Sequence, residues 1–209
     1  MKYYALSQKL AQGCPVGMLG GALYDKYYSE TKGVEVGYFP WYANPSRGKA
    51  HEKFPEGLVF ITKDKRYDFD VRSDLNFYYL ISDKFNILIS KFDVPMVDVA
   101  PIEVRSTKGG AVSEGKYHAA VFPSFDPEAV ANNTESQFVN GKFGGIARIK
   151  KLTVNDNFLC HIFKLKDMEG SSNTLICSEA FRDAAIALGV SGIDFFDAAS
   201  VDWPTIKPI

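Results

Sequence analysis

The side chains that most often perform chemistry in proteins are sparse and scattered in this sequence. There are three histidines, His51, His118 and His161, and none stands at metal-ligand spacing from another histidine or from a cysteine pair. Cys160 and His161 are adjacent, so on a strand they would point to opposite faces and could not act as a dyad. The sequence therefore predicts no metal site, and it implies no cofactor.

One position combines a thiol and a hydroxyl at the predicted start of a helix. Cys177 directly precedes this start, a place that can lower the pKa of a thiol, but it ends an apolar strand, which favours a buried and inert thiol. Ser178 has the residue type of a helix N-cap and lacks the Gly-x-Ser-x-Gly surroundings of a catalytic nucleophile. The carboxylates are spread along the chain, and the sequence alone pairs no two of them for acid–base catalysis. We predict no catalytic residues.

The bulk composition narrows the classes of partner. The chain has 209 residues, a formal net charge of −1 and a pI of about 6.3, so we expect neither nucleic acid nor an anionic membrane as partner. No apolar run approaches the roughly 20 residues of a membrane span, and the N-terminus lacks the apolar core of a signal peptide. Three scattered cysteines, Cys14, Cys160 and Cys177, fit a reducing compartment. We expect a cytoplasmic protein.

The clearest structural signal is the segment 173–197. An apolar run over 174–177 predicts a strand, and Ser178 predicts the N-cap of a helix with apolar residues at helical spacing. Gly189 can adopt the left-handed conformation that ends such a helix, and an extended run follows over 193–196.

The same pattern occurs earlier in the chain. Residues 82–94 align without a gap to residues 178–190, so that Ser82 pairs with Ser178, and an apolar run over 77–81 precedes them. An old duplication would explain this, and so would a common local solution that recurs without shared ancestry. The sequence leaves both explanations open.

Strand patterns outnumber helix patterns, which predicts an α+β fold of mostly antiparallel strands with a few helices, in two similar strand–helix–strand lobes. The N-terminal lobe would comprise residues 1–100 and the C-terminal lobe residues 101–209, unless the two form one continuous domain. The runs 144–152 and 158–165 predict a hairpin. The Gly-rich stretch 13–21 lacks the pattern of a phosphate-binding loop and predicts a turn with close backbone packing.

Two stretches are candidates for contact with a protein partner. The irregular segment 37–57 is unusually aromatic, and rigid aromatic side chains often dominate binding energy; the alternative is that they fold back as a small core. The alternating run 67–72 predicts a strand with an acidic solvent face, which would suit a basic partner, although a solvated face is the commoner explanation. The candidate partner-binding residues are Tyr38, Phe39, Trp41, Tyr42, Asp64, Asp68, Asp70 and Asp74.

Residues 175–182 (LICSEAFR) and 188–195 (LGVSGIDF) resemble the C-terminal signature of a bacterial immunity family, the eleventh numbered immunity family. The opening residues 1–6 and the mid-chain segment 80–85 are also similar to that family. The resemblance covers the last third of the chain well and the middle loosely, and nothing in residues 13–60 contributes to it. It implies a role and no catalytic residues: such proteins bind and neutralise cognate polymorphic or secreted toxins, including those of type VI secretion in bacterial competition.

We therefore expect an immunity protein that inhibits a cognate toxin by stoichiometric protein–protein binding. The alternative is a small-molecule enzyme that uses scattered carboxylates in a cleft between the two lobes, which a pocket lined by such carboxylates would favour. A structural component of a secretion apparatus is a third interpretation. Whether the free protein forms a homodimer is left open by the sequence.

Overall fold

The computed structural model describes residues 1–29, 51, 53–74, 78–142, 144–166, 168, 174–200 and 202. The strands in these residues are β1 (Tyr3–Gln8), β2 (Gly21–Tyr24), β3 (Val59–Thr62), β4 (Val71–Asp74), β5 (Tyr78–Ser82), β6 (Asp98–Ser106), β7 (Tyr117–Val121), β8 (Ser124–Phe125), β9 (Gln137–Asn140), β10 (Ile146–Lys151), β11 (Ile162–Leu165), β12 (Ile176–Ser178) and β13 (Ile193–Asp197). The helices are α1 (Asp83–Lys91), α2 (Pro127–Val130) and α3 (Glu179–Ala187). The predicted α+β class is confirmed.

Two large sheets and one small one organise these elements. The first sheet has the order β2-β3-β6-β7-β5-β4, the second has the order β13-β1-β12-β11-β8, and β9 pairs with β10. Among the described strand pairs, β3–β6 and β8–β11 are parallel, and the other pairs are antiparallel. The predicted boundary at residue 100 falls inside β6, and β1 belongs to the sheet that the C-terminal strands form.

The two similar sequence segments form units of the same topology. In the first sheet, β5, α1 and β6 surround the central strand β7, and β4 flanks β5. In the second sheet, β12, α3 and β13 surround the central strand β1, and β11 flanks β12. The units differ in chain order, because the central strand follows the other elements in the first unit and precedes them in the second.

The correspondence extends to the register of the strands. Ser82 lies opposite Tyr117 in the first unit, and Ser178 lies opposite Tyr3 in the second. Four residues after Tyr117 in the first central strand, the residue on the opposite strand is Asp98. Four residues after Tyr3 in the second, it is Asp194, which is aligned with Asp98 in the sequence. The alignment that the sequence suggests is therefore matched by the pairing of backbone atoms.

Both long helices begin and end in the same way. The Ser82 and Ser178 hydroxyls each accept a hydrogen bond from the backbone N–H three residues further on, which satisfies one of the free donors of a helix start. After each helix the chain turns through a left-handed residue, Asp93 with φ 47° and Gly189 with φ 67°. The predicted capping roles of Ser178 and Gly189 are confirmed.

The two helices share one core between the sheets. Phe85 of α1 and Phe181 of α3 are fully buried, and their ring centroids lie 5.8 Å apart. Burying such a side chain contributes about 1.5–3 kcal/mol. The Lys84 ammonium also donates to the Gly189 carbonyl at 2.8 Å, so α1 and the turn after α3 are fixed to each other.

The predicted hairpin of residues 144–152 and 158–165 is wrong. β10 pairs with β9, whereas β11 pairs with β12 and β8. Ile162 and Phe163 are both fully buried, so β11 is covered on both faces and cannot be an exposed hairpin arm. Hydrophobic pattern indicates that a strand exists but does not name its partner.

A helix that could cross a bilayer does not occur among the residues that the structure describes, since each helix falls short in length and apolar character.

Candidate protein-binding surface

The eight residues expected to contact a partner differ in whether the structure describes them and in how exposed they are. The aromatic residues Tyr38, Phe39, Trp41 and Tyr42 lie outside the described residues. Asp64 and Asp68 follow β3 and are partly accessible, whereas Asp70 and Asp74 are 3% and 1% exposed. The expected acidic face is therefore wrong for these last two residues. Residues 67–70 are not a strand, so the alternation of buried and exposed side chains does not apply to them.

Asp70 is a structural carboxylate that joins the two units. It accepts hydrogen bonds from the Ser82 hydroxyl and from the Ser191 backbone N–H, the latter at 2.6 Å, and it forms an ion pair with Lys84 at 2.8 Å. The N-cap of α1 and the turn after α3 thus meet at one buried charge. In the second unit, the N-cap residue Ser178 is aligned with Ser82, and its hydroxyl lies 2.7 Å from His161 Nδ1.

Asp74 lies in a site that disfavours its charge. Burial raises its pKa from 3.8 to about 6, although the hydrogen bond that Tyr78 donates at 2.5 Å acts in the opposite direction. Its Oδ1 atom has no hydrogen-bond partner in the described part of the chain. Asp74 therefore shapes the pH dependence of stability and not the accessible surface.

Asp64 and Asp68 fasten the loop that follows β1. Asp64 accepts the Gly20 backbone N–H at 2.9 Å, and the Asp68 backbone N–H donates to the Gly13 carbonyl at 2.8 Å. Gly13 has φ 68°, and a Cβ atom there would lie 2.5 Å from the Asp68 carboxylate, so only glycine fits. The predicted turn with close backbone packing is confirmed. Residues 9–20 are called the docking loop from here on.

The docking loop exposes large apolar side chains. Leu10, Val16 and Met18 are 74%, 45% and 70% exposed. The Gly17 backbone N–H donates to the Gln8 side chain at 2.6 Å, which holds this part of the loop against the end of β1. Three large apolar side chains of one short loop are therefore open to solvent.

A buried arginine holds the backbone of this loop through hydrogen bonds. Arg72 is 1% exposed and donates from Nε to the Pro15 carbonyl at 2.9 Å and from Nη2 to the Lys9 carbonyl at 3.1 Å. Its Nη1 atom donates to the carbonyl of Gly192, in the turn before β13. Arg72 forms no ion pair with any described residue, and burial lowers its pKa. Backbone carbonyls thus solvate this charge.

The charges beside the docking loop are of two kinds. Arg66 pairs with Asp68 at 2.5 Å, and Lys9 pairs with Asp194 at 2.9 Å. Lys63 and Lys65 are exposed and form no ion pair with a described residue. The unpaired charges at this edge are therefore positive.

The residues that could have been nucleophiles are buried. Ser178 and Cys177 are both 0% exposed, and burial raises the pKa of the Cys177 thiol far above its usual value. The predicted burial of Cys177 is confirmed. The Ser178 hydroxyl accepts a hydrogen bond from the Phe181 N–H at 3.2 Å, as the N-cap residue of a helix does. No cluster of three or more histidine, cysteine or acidic residues among the described positions could hold a metal ion.

A cavity of about 610 Å³ contains two carboxylates, Asp126 and Glu128. Its walls come from α2, β9 and the start of β10, so it is not the cleft between lobes that the enzyme interpretation expected. Asp126 forms an ion pair with Lys166 at 3.1 Å, which gives this carboxylate a structural role.

The comparison with protein families decides the class of this protein. The model of immunity protein 43 matches residues 8–203. The chain belongs to the immunity protein 43 family. The prediction of an immunity protein family is confirmed; the matching family is number 43, whereas the motif was compared with the eleventh. No curated protein matches the chain.

The family match includes the docking loop and both strand–helix–strand units. Sequence reasoning missed Leu10, Val16 and Met18 as surface residues because an exposed apolar residue cannot be distinguished from a buried one in the sequence alone. It also predicted a solvent-exposed face for the polar residues of the alternating run 67–72, which include the buried Arg72. The clue available in the sequence was the run of glycines at 13–21, which indicated close backbone packing around this loop.

Proposed function

We propose that this protein is a stoichiometric inhibitor that binds a cognate secreted bacterial toxin and holds it inactive in the cytoplasm of the cell that makes both. The observation that carries the proposal is the match to the immunity protein 43 family over residues 8–203. A binding mechanism needs no catalytic centre. It does need a firmly held surface with large side chains that can leave water.

Two parts of the chain are candidates for that surface. The docking loop supplies exposed apolar side chains on a backbone that Arg72 fastens. The aromatic segment with Trp41 and Tyr42 remains a prediction, because it lies outside the described residues. Aromatic side chains are enriched among the residues that dominate binding energy, so this segment keeps its place in the proposal.

Growth of cells that express the toxin encoded by the neighbouring gene is the test. Cells that also express this protein should grow normally, and cells that die despite its expression would contradict the proposal. Graded expression separates an inhibitor from an enzyme. An inhibitor protects only when it is present at least in equimolar amount, whereas an enzyme would protect when it is far scarcer than the toxin.

The aromatic segment has its own test in the same cells. Trp41→Ala combined with Tyr42→Ala should weaken protection, because each change removes a large anchor. Leu159→Ala is the control, since Leu159 is exposed and lies outside both candidate parts. Unchanged protection by the aromatic variant would remove the segment from the proposal.

A further inference from the structure

We infer that the docking loop is the face that contacts the toxin, and that the toxin presents an apolar depression rimmed by carboxylates. This inference rests on the proposed function and adds the location and the chemistry of the contact. Three observations support it: the clustering of exposed apolar side chains, the internal fastening of the loop, and the sign of its unpaired charges.

The apolar side chains are concentrated in this loop. Leu10 and Met18 are 74% and 70% exposed, and Val16 lies between them in the chain. Comparable side chains elsewhere in the described part of the chain are single or paired, for example Ile87 alone on α1 and Ile186 with Leu188 at the end of α3. Singly exposed apolar residues are normal, whereas a group of them indicates a surface that another molecule covers.

The loop is held in one shape before any partner arrives. Arg72 binds its Pro15 and Lys9 carbonyls, and Asp64 and Asp68 hold the loop at Gly20 and Gly13. A loop that is already ordered loses little conformational entropy on binding. Exposed apolar side chains on such a loop can act as anchors at low cost.

The charges set the chemistry of the partner. Asp64 is occupied with the Gly20 N–H and the Tyr67 hydroxyl, and Asp68 is paired with Arg66. The segment 63–68 runs beside the loop, since the Lys63 backbone N–H donates to the Gly20 carbonyl at 2.9 Å. Lys63 and Lys65 are left to meet the partner, and complementary charges make the toxin face acidic at this rim.

Binding of the purified full-length protein to the toxin domain of the neighbouring gene, made inactive by a catalytic substitution, tests both parts of the inference. Leu10→Asp combined with Met18→Asp should raise the Kd about 100-fold, because two anchors of about ten-fold each are lost. The matched control is Leu159→Asp combined with Ile186→Asp, two residues of similar exposure elsewhere, which should change the Kd less than about three-fold.

The charge is tested separately. Lys63→Glu combined with Lys65→Glu should slow association about ten-fold at low salt, and the difference should shrink at high salt because surface charges are screened. Lys142→Glu combined with Lys150→Glu is the control, since both lysines are exposed and lie in or beside the β9–β10 hairpin. Faster association of the first variant would mean a basic toxin face and would overturn the inferred chemistry.

The outcomes separate this inference from the proposed function. If the wild-type protein binds the toxin and the loop variants bind equally well, the docking loop is not the contact face, although the function stands. If the wild-type protein neither binds nor protects, the function fails and the inference fails with it. Circular dichroism checks that each variant is folded, and the milder pair Leu10→Ser with Met18→Ser should still raise the Kd at least ten-fold.

Discussion

Replacing Arg72 with methionine tests whether a buried guanidinium holds the docking loop. The change removes every donor of Arg72 while keeping a side chain of similar length. The Gly192 carbonyl keeps the Lys9 backbone N–H as a donor at 2.9 Å, but the described residues offer no second donor to the Pro15 and Lys9 carbonyls. The carbonyls of Val71, Pro15 and Lys9 therefore lose the hydrogen bonds that Arg72 donates to them.

The free energy of unfolding should fall by about 3 kcal/mol. A buried carbonyl left without a donor, such as that of Val71, costs about 1–3 kcal/mol, and the half-buried Pro15 and Lys9 carbonyls cost less because water can reach them. Part of the loss is offset because a charge no longer has to be buried. For a chain of this length the midpoint of thermal unfolding should fall by about 6–12 °C. Arg72→Lys should recover little, because an ammonium cannot reach several carbonyls as the planar guanidinium does.

Urea unfolding followed by far-ultraviolet circular dichroism measures the loss of stability. Amide hydrogen exchange in residues 9–20 measures how firmly the docking loop is held. Exchange in the docking loop should accelerate in the Arg72 variant even under conditions where the rest of the protein stays folded. Arg148→Met is the matched control: its side chain is 43% exposed and pairs with Asp202 at 3.3 Å, so it should cost less than about 1 kcal/mol. A loss below about 1 kcal/mol for Arg72→Met, with unchanged exchange in the loop, would refute the reasoning.

Three further predictions concern single buried groups. The pKa of Asp74 is raised in the folded state from 3.8 to about 6, so its carboxyl destabilises the fold increasingly as pH rises through that window. The free energy of unfolding of Asp74→Asn minus that of the wild type should therefore grow by about 2.4 kcal/mol between pH 4 and pH 7, and a constant difference would contradict this. Ser178→Ala should cost about 1–2 kcal/mol in urea unfolding, because the Phe181 N–H loses its acceptor; a loss within error of zero would exclude the capping role. Maleimide at pH 8 should label the half-buried Cys160 well before Cys177, which is 0% exposed; equal rates would show that the native state does not protect Cys177.

The strand–helix–strand units could be predicted because their signals are local. Ser178, the helical spacing after it and Gly189 each act within a few residues, and the structure has them in the predicted roles. The alignment of Ser82 with Ser178 also holds in the register of the strands. Local capping and packing chemistry is written in adjacent residues, so a single sequence is enough to find it.

The pairing of strands could not be predicted in the same way. β1 lies between β12 and β13, two strands that are more than 160 residues away from it in the sequence, and nothing in the composition of Tyr3–Gln8 identifies those neighbours. The alternation at residues 67–72 misled for a related reason: this segment is packed between the two units, so Asp70 and Arg72 find buried partners across the chain. Partners that are distant in sequence decide which polar residues are buried.

The exposed surface of the docking loop could not be predicted from the sequence either. Asp64 and Asp68 were predicted to contact a partner, and this stays a prediction; in the structure the Asp64 carboxylate accepts the Gly20 N–H, and the Asp68 backbone N–H donates to the Gly13 carbonyl. The apolar residues of the loop were not predicted to contact a partner, because an exposed leucine or methionine cannot be told from a buried one without the fold. A binding surface on a protein without catalytic residues therefore becomes visible only when burial is known.

Titration calorimetry of the purified protein with the inactivated toxin domain tests the central claim most directly. The account predicts saturable binding at a fixed stoichiometry, with an affinity that falls about 100-fold when Leu10 and Met18 are replaced with aspartate. Protection of cells in the absence of any measurable complex would contradict it, because neutralisation would then not depend on binding.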